Sequence, residues 1–187
     1  MVLTRGFTLL ELMITIALLA IILGLAVPSF TTLVQNNRAT AQANDLISFL
    51  QLARSEALKT NQPMSICPAN VTAETLACGS SWAAGWIVYR DGQAAGSDTS
   101  SVDEVIRASR PPLGGLSLAW NGAEPFLRYL PDGRIDPVSM PDSQGNGQTP
   151  PALRFILETA KCRGDNARRI VIERTGRLSI RRIECQT

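Results

Sequence analysis

The sequence predicts an α+β fold: one long N-terminal helix, part apolar and part amphipathic, packed on an antiparallel β-sheet head. Three observations carry this. Residues 7–34 form a dense apolar block, and from Leu12 to Asn37 there is no charged residue. From Asn36 to about Asn61, Ala43, Leu46, Ile47, Leu50, Ala53, Ala57 and Leu58 recur at steps of three and four, the helical period. After Pro63 the pattern changes to short β-type runs broken by glycine and proline.

At 1.5 Å per residue a helix of about 20 residues spans a bilayer core, so Phe7 to Phe30 has the length to cross one. Arg5 precedes the block, and positive charge favours the cytoplasmic side. The rest of the chain is then expected outside the cytoplasm. A cleaved secretory signal would need small residues just past the apolar run. Here Val27-Pro28-Ser29-Phe30 leads straight into helical sequence. A plain signal anchor leaves Glu11 unexplained, because a carboxylate inside an apolar block is costly and usually has a partner. Proline at 28 lacks the N–H that would bond the carbonyl of Gly24, so a kink or local melting is expected there.

The amphipathic stretch ends at Asn61-Gln62-Pro63, since the residue before proline avoids the helical region. Strands are expected at Met64–Cys67, Gly85–Arg90, Glu104–Ala108, Leu116–Trp120, Phe126–Leu130, Leu153–Glu158, Arg169–Arg174 and Arg177–Ile183. Asp91-Gly92 and Asp132-Gly133 are turn signals, and Arg174 to Arg177 reads as a hairpin between the last two strands. The stretch Asp136 to Pro151, rich in proline, glycine and polar residues, reads as an exposed loop.

The composition excludes several chemistries. With 187 residues and no histidine, the chain lacks Ser-His-Asp and Cys-His nucleophilic sites, His-ligated metals and imidazole acid–base catalysis. Asp98, Asp103 and Glu104 form no acid–base constellation, and Ser80-Ser81 has no base to activate it. Neither an enzymatic activity nor a cofactor is expected. The four cysteines contain no C-x-x-C and read as two disulfides of an oxidising compartment. Three pairings are possible; Cys67 with Cys78 and Cys162 with Cys185 need the least rearrangement of the chain.

The formal net charge of +2 is unevenly spread. Lys161 to Thr187 holds eight Lys/Arg against three Asp/Glu, leaving the remainder at −3. If the last strand alternates, Arg177, Ser179 and Arg181 point outward while Leu178 and Ile180 face the core. Arg169, Val171 and Glu173 then share the outward face of the strand before it, and Arg182 falls on the inward parity. Such arginines can bind phosphates bidentately, or contact an acidic neighbouring subunit. No aromatic interleaves them, so duplex phosphate contact rather than base stacking would be the mechanism.

Gly6-Phe7-Thr8-Leu9-Leu10-Glu11 resembles the prepilin peptidase site of type IV pilins and pseudopilins. The resemblance implies a leader of residues 1–6, cleavage between Gly6 and Phe7, and N-methylation of Phe7. It also implies a membrane and filament-core helix over 7–34, with residues 35–187 as amphipathic helix plus β head. In this family the acid at the place of Glu11 pairs with the N-terminal amine of a neighbouring subunit, and a proline at the place of Pro28 marks where the helix unwinds in filaments. Partners would be the prepilin peptidase, the inner membrane, and other major and minor pilin subunits.

The head resembles the FimT/FimU/GspH-type minor pilins, through Arg54-Ser55-Glu56-Ala57, Trp82 with Gly85 to Asp91, Leu130 to Gly133, and Thr175-Gly176-Arg177. Trp82 and Trp86 are expected to pack against the helix. FimT-like members bind DNA in natural transformation through arginines after a C-terminal Gly-Arg. Gly176-Arg177 matches that pair, whereas Ser179 stands where the motif has arginine. Arg168, Arg169, Arg174, Arg177, Arg181 and Arg182 are the residues the resemblance nominates for double-stranded DNA. Three functions follow from it: a minor pilin that initiates or caps a type IV pilus, a DNA receptor on that pilus, and a type II secretion pseudopilin.

Overall fold

The structure, a computed structural model, describes residues 7–70, 76–109, 111, 115–141, 152–160 and 162–186, without the side chains of residues 25–29 and 32. Gly6, Lys161, the Pro28 side chain and residues 142–151 of the expected loop lie outside the described residues. The chain divides into two compact units, residues 1–37 and 38–187.

The first unit consists of the opening of α1, whose full extent is Leu9–Thr60. Thr8 starts the helix. Its carbonyl accepts from the Leu12 N–H at 3.2 Å and its hydroxyl from the Glu11 N–H at 3.2 Å. Those are the bonds of an N-cap followed by an acid three residues on. From Phe7 to Leu23 the large apolar side chains are exposed, with Phe7 at 81%. Among the described residues no helix is long and apolar enough to cross a membrane. The apolar block of the sequence contains residues 25–29, whose side chains are not among those described.

The second unit is built on the other part of α1. Ala39, Ala43, Leu46, Phe49, Leu50, Ala53 and Ala57 are buried, one face at helical spacing. Four of these are alanines, which let sheet side chains approach the helix axis closely. Leu58, expected on the same face, is half exposed. The helix stops where Asn61 takes a left-handed φ of 55°, two residues before Pro63.

Two antiparallel sheets pack around this face. The first comprises β1 (Met64–Asn70), β2 (Ala77–Cys78), β3 (Trp86–Asp91) and β4 (Val102–Ala108) in the order β2-β1-β3-β4, with β6 (Leu127–Tyr129) also pairing β1. The second comprises β5 (Leu116–Trp120), β7 (Leu153–Thr159), β8 (Ala167–Ile172) and β9 (Leu178–Ile183) in the order β5-β7-β8-β9. Ile66, Trp86 and Val88 from the first sheet join Phe155, Leu157 and Ile170 from the second in one core with the helix. Cys67, Ile87, Tyr89 and Phe126 form a second, smaller core.

The eight expected strands are present within a few residues of their expected ends. The two-residue β2 was not expected; it is too short to carry a periodic signal. Trp86 meets Phe49 of the helix edge-on at 6.1 Å, as expected. Trp82 instead lies in a 3-10 turn, Trp82–Ala84, and packs on Trp120 and Phe155 of the second sheet at 5.6 and 4.8 Å.

Three expectations need correction. Asp91-Gly92 is no tight turn: Asp91 ends β3, its carboxylate is buried, and β4 begins only at Val102. Asp136 to Met140, expected as the start of an exposed loop, is largely buried around a 3-10 turn at Pro137–Ser139. In both places a buried ion pair to Arg128 outweighs the local turn chemistry. Ile180, expected in the core, is 40% exposed on β9, the last strand of its sheet.

Candidate assembly segment and nucleic-acid interface

Two regions bear on function, one in each unit. In the first, Phe7 and Glu11 are exposed at the start of α1, and the Thr8 hydroxyl occupies the Glu11 N–H. The Glu11 carboxylate makes no bond among the described residues and stands in the first helical turn, where the backbone dipole favours a negative charge. An exposed carboxylate beside a chain of unpartnered Leu and Ile is suited to meeting a cation in an apolar assembly. The role of Thr8 was missed at the sequence level, although its spacing to Glu11 is that of a capping box.

In the second unit, the β8–β9 hairpin carries all six nominated arginines, and Arg174, Arg177, Arg181 and Arg182 are exposed. The hairpin closes with the Glu173 N–H on the Arg177 carbonyl at 2.9 Å and the Gly176 N–H on the Glu173 carbonyl at 2.8 Å. Register sets Arg169 opposite Arg181 and Val171 opposite Ser179, so these share the outer face. Arg154 and Ile156 of β7 lie opposite Val171 and Arg169 and belong to it too. Neither was nominated from the sequence, because only the pairing of β7 with β8 brings them there.

Arg168 is a correction. It sits on the inner face with 3% exposure and cannot reach an external ligand. Its guanidinium donates to the Thr40 hydroxyl at 3.0 Å and to the carbonyls of Asn166 and Ala167, both at 3.2 Å. Burial first, and then the charge of Arg182, hold its pKa below the ordinary arginine value. Register therefore places two like-charged pairs on consecutive rungs, Arg168 with Arg182 and Arg169 with Arg181. Like charges directly opposed cost roughly 0.2–1 kcal/mol each. Among the described residues no acid forms an ion pair with Arg169, Arg181 or Arg182.

The looser motifs of the head meet at one helix residue. Arg54 donates from Nε to the Gly133 carbonyl at 3.0 Å and from Nη2 to the Thr175 carbonyl at 2.9 Å. Gly133 and Gly176 both take left-handed φ, 77° and 76°. A Cβ on Gly176 would stand 2.3 Å from the Gly133 carbonyl oxygen, so the two turns touch where only glycine fits. Arg54-Ser55-Glu56-Ala57, Leu130 to Gly133 and Thr175-Gly176-Arg177 are thus parts of one clamp.

The structure pairs Cys67 with Cys78 and Cys162 with Cys185. The second disulfide holds the C-terminal tail beside the outer face. There the Cys185 N–H bonds the Gly164 carbonyl at 3.0 Å and the Gln186 N–H bonds the Glu158 carboxylate at 2.7 Å. Glu158 is buried there, with 6% exposure. Among the described residues no group of His, Cys, Asp or Glu could hold a metal ion.

Comparison with known proteins agrees with this construction. The family described as type II transport protein GspH matches residues 42–176, and the prokaryotic N-terminal methylation motif matches residues 1–27. Two crystal structures of the type IV minor pilin FimU from Pseudomonas aeruginosa share the fold. One, in space group P21, aligns with a TM-score of 0.56 at 20% identity over 81% of this chain and 95% of that one. The other, in space group P65, aligns with 0.53 at 20% identity over 79% and 98%. Comparison with curated proteins gives no match.

Proposed function

We infer the function of a chain that belongs to the type II transport protein GspH family: it is a minor pilin-type subunit, inserted through its N-terminal helix and assembled into a filament. The fold is that of a type IV minor pilin, and such families are structural components rather than enzymes. The observation that carries the reading is the order of two matches in one chain, a methylation motif over residues 1–27 followed by the family's head over 42–176. In this reading residues 1–6 are a leader removed between Gly6 and Phe7, and Phe7 is N-methylated. Residues 7–34 anchor the subunit in the inner membrane, with the head in the periplasm, and then enter the filament core. Pro28 is where the helix yields on packing. Glu11 supplies the carboxylate that draws in the cationic amine of a neighbour, an attraction that strengthens as water is excluded.

The subunit initiates or caps a type IV pilus. The family description favours a type II secretion filament as the second reading, in which the same plan builds a short periplasmic assembly. Mass spectrometry of the mature chain should find methylated Phe7 at the N-terminus. Glu11→Ala should leave cleavage intact and remove the chain from sheared filaments. An uncleaved N-terminus, or filaments that incorporate the variant normally, overturns the reading. The filament in which the chain is found separates pilus from secretion.

A DNA role is favoured by a separate observation, the exposed Arg174, Arg177, Arg181 and Arg182, which form no ion pair among the described residues, with Arg169 half-buried beside them. Titrating the full chain against duplex DNA at several salt concentrations tests it. If three of these arginines meet phosphates, the triple change Arg177→Gln, Arg181→Gln, Arg182→Gln should flatten the log–log salt slope by about 2–3 units. Absence of binding at low salt by the folded chain removes the DNA role and leaves the filament reading intact.

A further inference from the structure

The second sheet turns one face to the helix, and strand pairing alone decides which charges gather on the other. On that outer face Arg169 of β8 stands between Arg181 of β9 and Ile156 of β7. In the next row Val171 of β8 stands between Ser179 of β9 and Arg154 of β7. Three arginines from three strands thus surround an apolar pair, Ile156 and Val171. Side chains directly opposed across an antiparallel pair start about 5 Å apart, and diagonal ones about 7–8 Å. Arg154 is on the diagonal from Arg169, and so belongs to the same cluster although it lies outside the hairpin.

The acids near this cluster are few and already placed. Glu158 accepts from the Gln186 N–H at 2.7 Å and is buried. Glu173 stands at the turn, where its N–H bonds the Arg177 carbonyl at 2.9 Å, so its charge lies opposite Arg177 and diagonal to Arg154. Glu184 follows Arg182 two residues on, on the other parity, and Asp165 lies in the loop before β8. Against Glu158 and Glu173 the outer face sets Arg154, Arg169, Arg177 and Arg181, so positive charge is in excess. Among the described residues no acid forms an ion pair with any of these four arginines. Arg154 and Arg181 are exposed. Arg169 is half-buried, and its Nε lacks a hydrogen-bond partner. Such a side chain gains by turning outward to an acceptor, and an anionic oxygen is the strongest acceptor for a guanidinium. No aromatic stands in these two rows, which suits the charged backbone of a duplex rather than stacked bases.

We propose that Arg154 is a phosphate-binding residue: with Arg169 and Arg181 it makes the outer face of the second sheet a seat for the backbone of duplex DNA. The nucleic acid then lies across three strands instead of being held by the hairpin alone. Arg169 and Arg181 take one phosphate between them, which relieves their like-charge contact, and Arg154 takes another. This rests on the DNA reading and adds to it a residue from outside the hairpin.

The test titrates the full chain in detergent micelles against duplex DNA at several salt concentrations. Each phosphate contact contributes about 0.9 to the log–log salt slope. Arg154→Gln should flatten the slope by about one unit, and Arg154→Gln with Arg169→Gln by about two. Arg154→Lys should keep the parent's slope, because the slope counts charges; that also shows that β7 tolerates the change. Arg107→Gln, on β4 of the first sheet, should leave the slope alone. If the parent binds duplex and the hairpin changes flatten the slope, but Arg154→Gln does not, the proposal is overturned and the DNA reading stands. If the folded parent binds no duplex at low salt, both fall. An Arg154→Gln chain that keeps the parent's slope but is missing from sheared filaments assigns this face to a neighbouring subunit, and likewise overturns the proposal.

Discussion

Arg128 is fully buried, yet its guanidinium has partners on every side. Asp91 accepts from Nε at 3.0 Å, Asp136 from Nη1 at 3.3 Å, and the carbonyls of Ser97 and Thr99 from Nη1 and Nη2 at 2.8 and 2.6 Å. The two acids are tied in turn, Asp91 by the Ser65 hydroxyl at 2.7 Å and Asp136 by the Gly96 N–H at 2.8 Å. One arginine therefore fixes both the loop after β3 and the segment after β6. Arg128→Met should lower stability by about 3–5 kcal/mol, seen as a lower urea midpoint, because two buried carboxylates lose their cation. The tyrosines give a second prediction at this scale. Tyr89 and Tyr129 are the only two in the chain, and neither is exposed. Burial pushes Tyr89 up to about 12 from 10.0 and moves Tyr129 in the same direction. The folded state holds these protons more tightly than the unfolded one. Stability is fully present below the unfolded value near 10 and is lost as pH rises toward the folded value. Tyrosinate absorbance should stay absent through pH 10 and then appear together with loss of the circular dichroism of the fold. Ionisation of a still-folded chain near pH 10 would contradict this.

At the scale of elements, the helix does more than bury one face. Arg54 ties it to the turn after β6 and to the β8–β9 turn through two carbonyls. A hydrogen bond from a charged donor contributes about 1.5–3 kcal/mol. Arg54→Ala should destabilise the head by about that amount, and Gly176→Ala should destabilise it too, through its left-handed φ and the Gly133 carbonyl in its way. Because both act on one contact, the double change should cost less than the sum, which a double-mutant cycle in urea would measure. The disulfide between Cys162 and Cys185 works on a single edge. Replacing both cysteines by serine should free the tail, expose Glu158, and lower stability by about 2–4 kcal/mol. Hydrogen exchange should quicken at Cys185 and Gln186 before it does in β7.

For the molecule as a whole, charge and exposure separate two tasks. The first unit has exposed apolar side chains and one carboxylate, and the second has a closed core between two sheets and the helix. Changes in the head's outer arginines should therefore leave the head's core untouched, and Glu11→Ala should leave head stability unaltered. Urea unfolding followed by tryptophan fluorescence checks both, since Trp82, Trp86 and Trp120 all belong to the second unit. A shared midpoint for parent, Glu11→Ala and the triple arginine change is the expected result.

Local chemistry was enough for much of this. The apolar block before Asn36, the helical spacing from Ala43 to Ala57, Asn61 before Pro63 and the Gly6–Glu11 motif are each written in neighbouring residues, so the helix and its candidate assembly segment were legible in the sequence. Strands at Leu116–Trp120 and Leu153–Glu158 were legible for the same reason, since alternation and flanking glycines are short-range signals. Tertiary structure alone decided the rest. Asp91 and Asp136 look like turn residues until Arg128, distant in sequence, draws both carboxylates inside. Arg168 and Arg169 are adjacent and chemically identical, yet strand pairing buries one under the helix side and leaves the other on the outer face. A sequence specifies which residues can be charged or apolar; which charges remain open to a partner depends on the burial and register of strands far apart in the chain.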